Sequence, residues 1–304
     1  MVKKVTVITP YYKGEKTIFN TINSVLTAYE KIKSKLSLEY IVIIDSMEDR
    51  DIIFKKLKNK YKSKITLLKN EENLGVAKSR NKATKLAKGD YVVFLDQDDN
   101  IDENYFLNIY EKIKENSQVI LVNGYICNKV NGKKAPLYYV KPKLKRKTFL
   151  RANKISTPGQ VVFSKSIIDN DFFTGCSEEF KGADDWAAYV NMFLTNPDLK
   201  IDYISNKLFY YNLHGNNYSN NWQELNSSAI ETSKYFIDKV QNNEKKILKK
   251  RICILEFENI YLANKSLSFK LKNLYRVVDY YIFHLVYVNR ILGAFHKKLI
   301  GFYK

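Results

Sequence analysis

Apolar positions along the first 123 residues switch repeatedly between two periods. Val5 to Thr9 reads as a strand, and Gly14 leads into a helix in which Ile18, Ile22, Val25, Leu26, Tyr29 and Ile32 share one face. Tyr40 to Ile44 predicts a second strand, Asp51 to Tyr61 a helix, and Ile65 to Leu68 a third strand. Val76, Ala77, Ala83, Leu86 and Ala87 then recur at helical spacing. Gly89-Asp90 breaks that helix, and Tyr91 to Leu95 is an unbroken apolar run of strand length. A helix over about 103–115 and a strand over Val119 to Asn123 follow. Strands alternating with helices predict βαβ units, hence an α/β fold with a mainly parallel sheet. Beyond residue 124 the pattern loosens. A helix over 182–194 with Trp186, Tyr189, Val190, Phe193 and Leu194 on its buried stripe still stands out, as does a strand from Leu208 to Leu213. There is no internal repeat and no low-complexity linker.

The patterning delivers Asp96, Asp98 and Asp99 together to the end of a buried strand. In an open α/β sheet the crevice beyond the carboxyl ends of the strands is where ligands sit, and clustered carboxylates there repel one another unless a cation or a hydroxyl-rich ligand offsets them. One acid of the three is accounted for equally well by an Asx turn or by capping the helix that begins near Asp102 or Glu103. All three are not, since a single cap needs a single oxygen. Hard divalent cations take carboxylate oxygens, and Mg²⁺ typically binds one or two of them together with substrate phosphates, so an Asp-x-Asp at a strand end suits a metal carrying a diphosphate. The turn after the first strand, PYYKGEK, holds one glycine and cannot act as a G-x-G-x-x-G dinucleotide loop; a Walker loop is also absent.

FLDQDD, preceded by NLGVAKSRN and by ITPYY at the first strand, resembles the nucleotide-sugar-binding half of the family 2 glycosyltransferases. The likeness is close over residues 3 to 105 and looser to about 220. It implies a GT-A fold, a Rossmann-like, mainly parallel sheet flanked by helices, and inverting transfer from a nucleotide sugar, with a UDP-sugar and Mn²⁺ or Mg²⁺ as the expected donor and cofactor. By the same resemblance Pro10 and Tyr12 in TPYY would sit at the nucleotide, with Tyr12 near the base. Asp45 would read the base or ribose, Arg80 would serve the nucleotide, Asp96 would flank it and Asp98 would hold the metal. Ser46 and Met47 stand where the family usually has a second acid and a glycine. GADDW resembles the family's acidic pair before a large residue, which makes Asp185 the expected base, with Asp184 as the runner-up and the expected helix cap. His214, after YYNL, matches a histidine that approaches the metal or diphosphate, although Asn212 replaces the usual arginine; a loop histidine without a role is the competing reading.

Composition changes this picture mainly at the C-terminus. A hydrophobic share of 45% with 11 Gly and 5 Pro in 304 residues fits a folded globule. Cys127, Cys176 and Cys253 are scattered, which suggests a reducing cytoplasm and no structural zinc. The apolar run at the N-terminus is too short for a signal peptide, so no export is expected. The net charge of +19 calls for an anionic partner, yet no helix-turn-helix, zinc-finger or RNP pattern points to nucleic acid. Thirteen Lys or Arg against three acids fall between Lys245 and Lys304, amid Tyr275, Tyr280, Tyr281, Phe283, Tyr287, Ile291 and Phe295. Such a region can lie on an anionic membrane, while Asp279 and Arg290 interrupt any spanning stretch. Ordinary helices packed on the catalytic domain, or contacts in a homo-oligomer, are the alternatives. The expected organisation is a GT-A domain over 1–220, its donor half ending at 123 and its acceptor half running from 124, followed by a basic helical region over 221–304. The acceptor is expected to be a hydroxyl of a glycan or lipid-linked glycan. The competing readings are a nucleotidyltransferase, which would also use paired acids and a metal, and a basic scaffold or binding protein.

Overall fold

A computed structural model describes residues 2–168, 171–173, 182–214, 221–264 and 266–285. Cys176, the Gly-Asn-rich stretch from Gly215, Arg290 and the aromatics Tyr287, Ile291 and Phe295 lie outside them. The chain forms two compact units, the first from 1–137, 155–174 and 196–213, the second from 138–154, 175–195 and 214–304. This division does not follow a cut at residue 220. The stretches 138–154 and 175–195, expected in the acceptor half, group with the C-terminal helices.

The first unit holds every described strand. In order, β1 is Lys3–Tyr11, α1 Glu15–Glu30, β2 Leu36–Ile44, α2 Arg50–Tyr61, β3 Thr66–Lys69, α3 Gly75–Leu86, β4 Tyr91–Phe94, β5 Asn100–Ile101, α4 Tyr105–Lys114, β6 Val119–Asn128 and β7 Lys134–Pro136; β8, Val161–Ser164, and β9, Ile201–Leu213, return later. The nine strands form one sheet in the order β3-β2-β1-β4-β8-β6-β9-β5, with β7 beside β6. The β3-β2-β1-β4 half is parallel, as βαβ alternation predicts. Antiparallel β8 joins it to β6, beside which β9 runs parallel. β4 is buried along its whole length, which is why it reads as an unbroken apolar run. Its turn demands Gly89, because a Cβ there would come within 2.6 Å of the Thr6 backbone nitrogen.

β6 and β9 run longer than their apolar cores suggest, with a register shift where the buried Asn123 and Gly124 of β6 meet the exposed Ser205 to Lys207 of β9. α1 buries Ile18, Ile22 and Val25 as its stripe foretells. α3 reverses its stripe. Val76 is 44% and Leu86 51% exposed, whereas Ser79, Arg80, Asn81 and Thr84 are buried with Ala83. Ser79 Oγ accepts from Asn70, Arg80 pairs with Asp96, Asn81 Oδ1 accepts from the Phe173 amide, and Thr84 Oγ1 donates to the Arg80 carbonyl of its own helix.

The second unit is helical among its described residues: α5 Arg146–Arg151, α6 Asp184–Thr195, α7 Trp222–Ile237, α8 Asn242–Ala263, α9 Leu267–Lys272 and α10 Leu274–Leu285. Its centre is Trp186. The indole N–H donates to the Phe149 carbonyl at 2.7 Å and the ring meets Phe236 edge-on at 6.2 Å. The buried Arg251 guanidinium lies 4.1 Å from the indole, while donating to the Arg151 carbonyl at 2.7 Å and to Ser233 Oγ at 3.2 Å. Arg146 and the buried Glu244 add an ion pair of 2.7 Å between α5 and α8. No described helix is long and apolar enough to cross a membrane.

Candidate active site

The parallel register sets the carboxyl ends of β1, β2 and β4 side by side. Tyr11 pairs with Ile44, Ile8 with Phe94, and the Asp45 and Leu95 amides continue those ladders onto Tyr11 and Ile8. Three loops start here.

Gln97, the middle residue of Asp-x-Asp, ties the first loop to the third. Its side-chain carbonyl accepts from the Tyr12 amide at 2.9 Å and its amide donates to the Tyr12 carbonyl at 2.8 Å, while Thr21 Oγ1 donates to the Gln97 carbonyl at 2.7 Å. Gly14 allows this approach, since a Cβ there would lie 2.3 Å from the Gln97 amide group. Pro10 is buried in β1, and the Tyr12 ring is left 46% exposed, with Lys13 Nζ 5.4 Å from its centroid. Tyr11, beside it, is buried and donates to Asp49; burial and that carboxylate push its hydroxyl pKa far above the usual tyrosine value.

Asp45 is buried at the end of β2. One of its oxygens accepts both from Asn70 Nδ2 at 2.7 Å and from the Leu74 amide at 2.8 Å, and Asn70 also donates to Ser79 Oγ at 2.8 Å. The acid expected at the base or ribose thus holds the NLG loop through the Leu74 amide.

The three acids after β4 meet three environments. Asp96 forms an ion pair with Arg80, which is 4% exposed and has the Phe173 ring 5.1 Å from its guanidinium centre. The guanidinium expected at the nucleotide therefore neutralises the first acid of the motif. Asp99 is fully buried. It accepts from the Asn212 amide at 3.0 Å, and Thr157 Oγ1 lies 3.5 Å from it and 3.3 Å from Asp96. Desolvation, then the charges of Asp98 and Asp96, push its carboxyl well above the ordinary carboxylate range. Asp98 is half-buried, and its backbone carbonyl accepts from Asn212 Nδ2 at 2.6 Å. Asn212, at the position of the family's arginine, thus laces β9 to the acidic turn, donating also to Asn100 at 2.8 Å.

Asp184, Asp185 and His214 belong to the second unit. Asp184 and Asp185 open α6, both half-buried. Asp185 accepts from Asn153 Nδ2 at 3.1 Å and from the Trp186 amide at 2.6 Å. His214 is half-buried just after β9. The structure therefore gathers Pro10, Tyr12, Asp45, Arg80, Asp96 and Asp98 within the first unit, and sets the acidic pair on the helix whose Trp186 centres the second.

A sequence model described as Glycosyl transferase family 2 matches residues 6–172. The chain belongs to this family. The match spans all six of the first unit's candidates and stops short of Asp184. Among curated relatives, the poly(ribitol-phosphate) beta-N-acetylglucosaminyltransferase TarS of Staphylococcus aureus is 30% identical over 212 residues, 68% of this chain and 35% of TarS. A poly(ribitol-phosphate) beta-glucosyltransferase of Bacillus spizizenii is 26% identical over 63% of this chain and 30% of its own length. The chain thus spans about a third of the length of these relatives. Among solved structures, S. aureus TarS 1-349 in complex with UDP-GlcNAc superposes with a TM-score of 0.61 at 21% identity, over 91% of this chain and 78% of that one. A mannosyltransferase of Pyrobaculum calidifontis in complex with GDP-Man and Mn²⁺ gives 0.58 at 14% identity, over 96% and 88%. These likenesses show the same α/β architecture.

Family membership also frames what the sequence did not reveal. Gln97 lay inside the quoted motif, and Gly14 opposite it was the available signal. Thr157 and Asn153 carry no spacing that marks them, because their partners lie 58 and 32 positions away.

Proposed function

We propose that the chain is the catalytic part of an inverting glycosyltransferase that moves a sugar from a UDP-sugar to a hydroxyl of a glycan or lipid-linked glycan. The observation that carries this reading is the division of labour among the acids after β4. Arg80 offsets Asp96, hydrogen bonds hold the buried Asp99, and Asp98 stands half-buried at the strand end. The UDP-GlcNAc bound by TarS supports the donor class. The relatives' names bring in a phosphate-bearing polymer as acceptor, which the net charge of +19 would favour. Family membership favours glycosyl transfer over nucleotidyl transfer.

The residues fit a hard divalent cation in donor chemistry. Among the described residues no three His, Cys, Asp or Glu side chains form a closed metal cage. Mg²⁺ typically takes one or two protein carboxylates and fills the rest of its shell with substrate phosphates and water. Asp98 would hold Mg²⁺ or Mn²⁺, whose positive charge would stabilise the departing nucleotide diphosphate. Tyr12 offers the nucleobase an exposed ring beside the cleft, on a loop that Gln97 holds in place. Asp185 accepts the proton of the acceptor hydroxyl as its oxygen bonds to the anomeric carbon and the bond to the diphosphate breaks on the opposite face, which inverts the configuration. Asn153 Nδ2, donating to that carboxylate at 3.1 Å, orients it. The reaction belongs in the cytoplasm, where free thiols such as Cys127 and Cys253 stay reduced.

The test is UDP release from a panel of UDP-sugars with and without divalent cation. Asp98→Asn should keep the fold by circular dichroism and lose about three orders of magnitude in metal-dependent turnover, the scale of several kcal/mol of electrophilic stabilisation. Full turnover in EDTA, or in the variant, refutes the assignment.

A further inference from the structure

We propose that the outer face of α9 and α10 docks on an anionic lipid bilayer. The aromatic and aliphatic residues of this region divide into two sets. One set faces inward within the second unit: Phe269 stacks on Phe257 at 6.3 Å, Tyr280 packs on Tyr261 at 5.6 Å and donates to Glu258 at 3.2 Å, and Phe283 is buried with the Arg151 guanidinium 5.9 Å from its ring. The other set, Leu267, Leu271, Leu274, Tyr275, Val278 and Ile282, is 47–72% exposed. On α10 the exposed members fall at i, i+1, i+4 and i+8, within about a third of the helix circumference. An inward face already packed and an outward face this apolar are more than the scattered exposed leucines of an ordinary surface.

Charge selects the occupant. Asp279 is the only acid between residues 264 and 285, and Lys250 holds it at 2.6 Å, while Lys270, Lys272 and Arg276 stand on the same two helices. A second copy of the chain, with its own charge of +19, would bring like charge against like. A nucleic acid would answer the cations and leave the leucine, valine and isoleucine side chains in water. An anionic leaflet answers both: acyl chains take the apolar stripe, and phosphate headgroups take the lysines and arginine.

Flotation of the full chain with phosphatidylcholine vesicles, with and without about a third phosphatidylglycerol, tests this directly. The expected result is co-flotation only with the anionic vesicles, weakening as salt shortens the Debye length from about 10 Å at 0.1 M to about 3 Å at 1 M. Leu271→Ser/Leu274→Ser/Val278→Ser changes exposed positions alone, and should lower vesicle partitioning by about tenfold or more with an unchanged melting temperature. Undiminished flotation of the variant overturns the proposal. So does a marked drop in its melting temperature, which would place the stripe under the chain's own residues, or a halved mass in light scattering, which would place a second copy there. RNA retained at high salt in place of vesicles overturns it in favour of nucleic acid.

Discussion

The two acidic stations of this protein are made of the same residue and work by opposite means. After β4, three aspartates within four positions are sorted by long-range partners: an arginine from α3, a threonine before β8 and an asparagine on β9 give each acid a different surrounding. At the start of α6, two aspartates share one short helix turn, and Asp185 is held by the amide of its own neighbour Trp186 and by one loop asparagine. The carboxyl ends of converging strands can give one turn three environments. At the helix start Asp185 draws its partners from its own neighbour and from one loop asparagine.

The sharpest test of that contrast is Asp185→Asn. The amide oxygen can still accept the Trp186 N–H, so the helix start should persist while transfer falls by about two to four orders of magnitude, with donor affinity by calorimetry unchanged. Unchanged turnover would reduce Asp185 to a helix cap and pass the role of base to Asp184. A smaller effect is expected on the other side. Arg80→Met removes the cation opposite Asp96 and leaves a partly buried carboxylate without it, and should lower unfolding stability by about 2–4 kcal/mol in urea titration, since breaking such a pair costs more than the pair contributes. A loss under about 0.5 kcal/mol would mean that water already screens Asp96 as at an ordinary surface pair.

The smallest effect belongs to Asp99. Its carboxyl is pushed above the ordinary range, so the folded chain keeps a proton that the unfolded chain releases near pH 4. The unfolded state then binds fewer protons, and stability falls as pH rises from about 4 toward the raised value. Asp99→Asn cannot ionise and keeps an oxygen for the Asn212 amide. Measured by thermal unfolding in EDTA, it should flatten that fall and match or exceed wild type at pH 7, by up to about 1 kcal/mol. A loss above about 2 kcal/mol would show that the ionised form is the one the fold needs.

Much of this could be read from residue order. α1, β4 and the Trp186 stripe of α6 appear where apolar periodicity puts them, because those elements bury carbon against carbon. α3 did not follow the rule. Its Val76 and Leu86 are exposed and its Ser79 and Arg80 buried, where Asn70 and Asp96 partner them. Of the candidate residues, Asp96 and Asp98 fall just past the carboxyl end of β4, where the length of its apolar run puts them. That Arg80 turns to Asp96, and that Asp45 holds the Leu74 amide, needed the packed chain.

What the sequence determined by itself was the order of strands and helices, the family signature and the position of the acids at strand and helix ends. These follow from local periodicity and from which residues end an element. The tertiary structure alone decided which acid is neutralised, which is buried and which stays half-exposed, and which side of α9 and α10 meets solvent. Those outcomes depend on partners as far as 114 positions away in the chain, and a hydrogen bond or desolvation cost across that separation leaves no period in the sequence to be read.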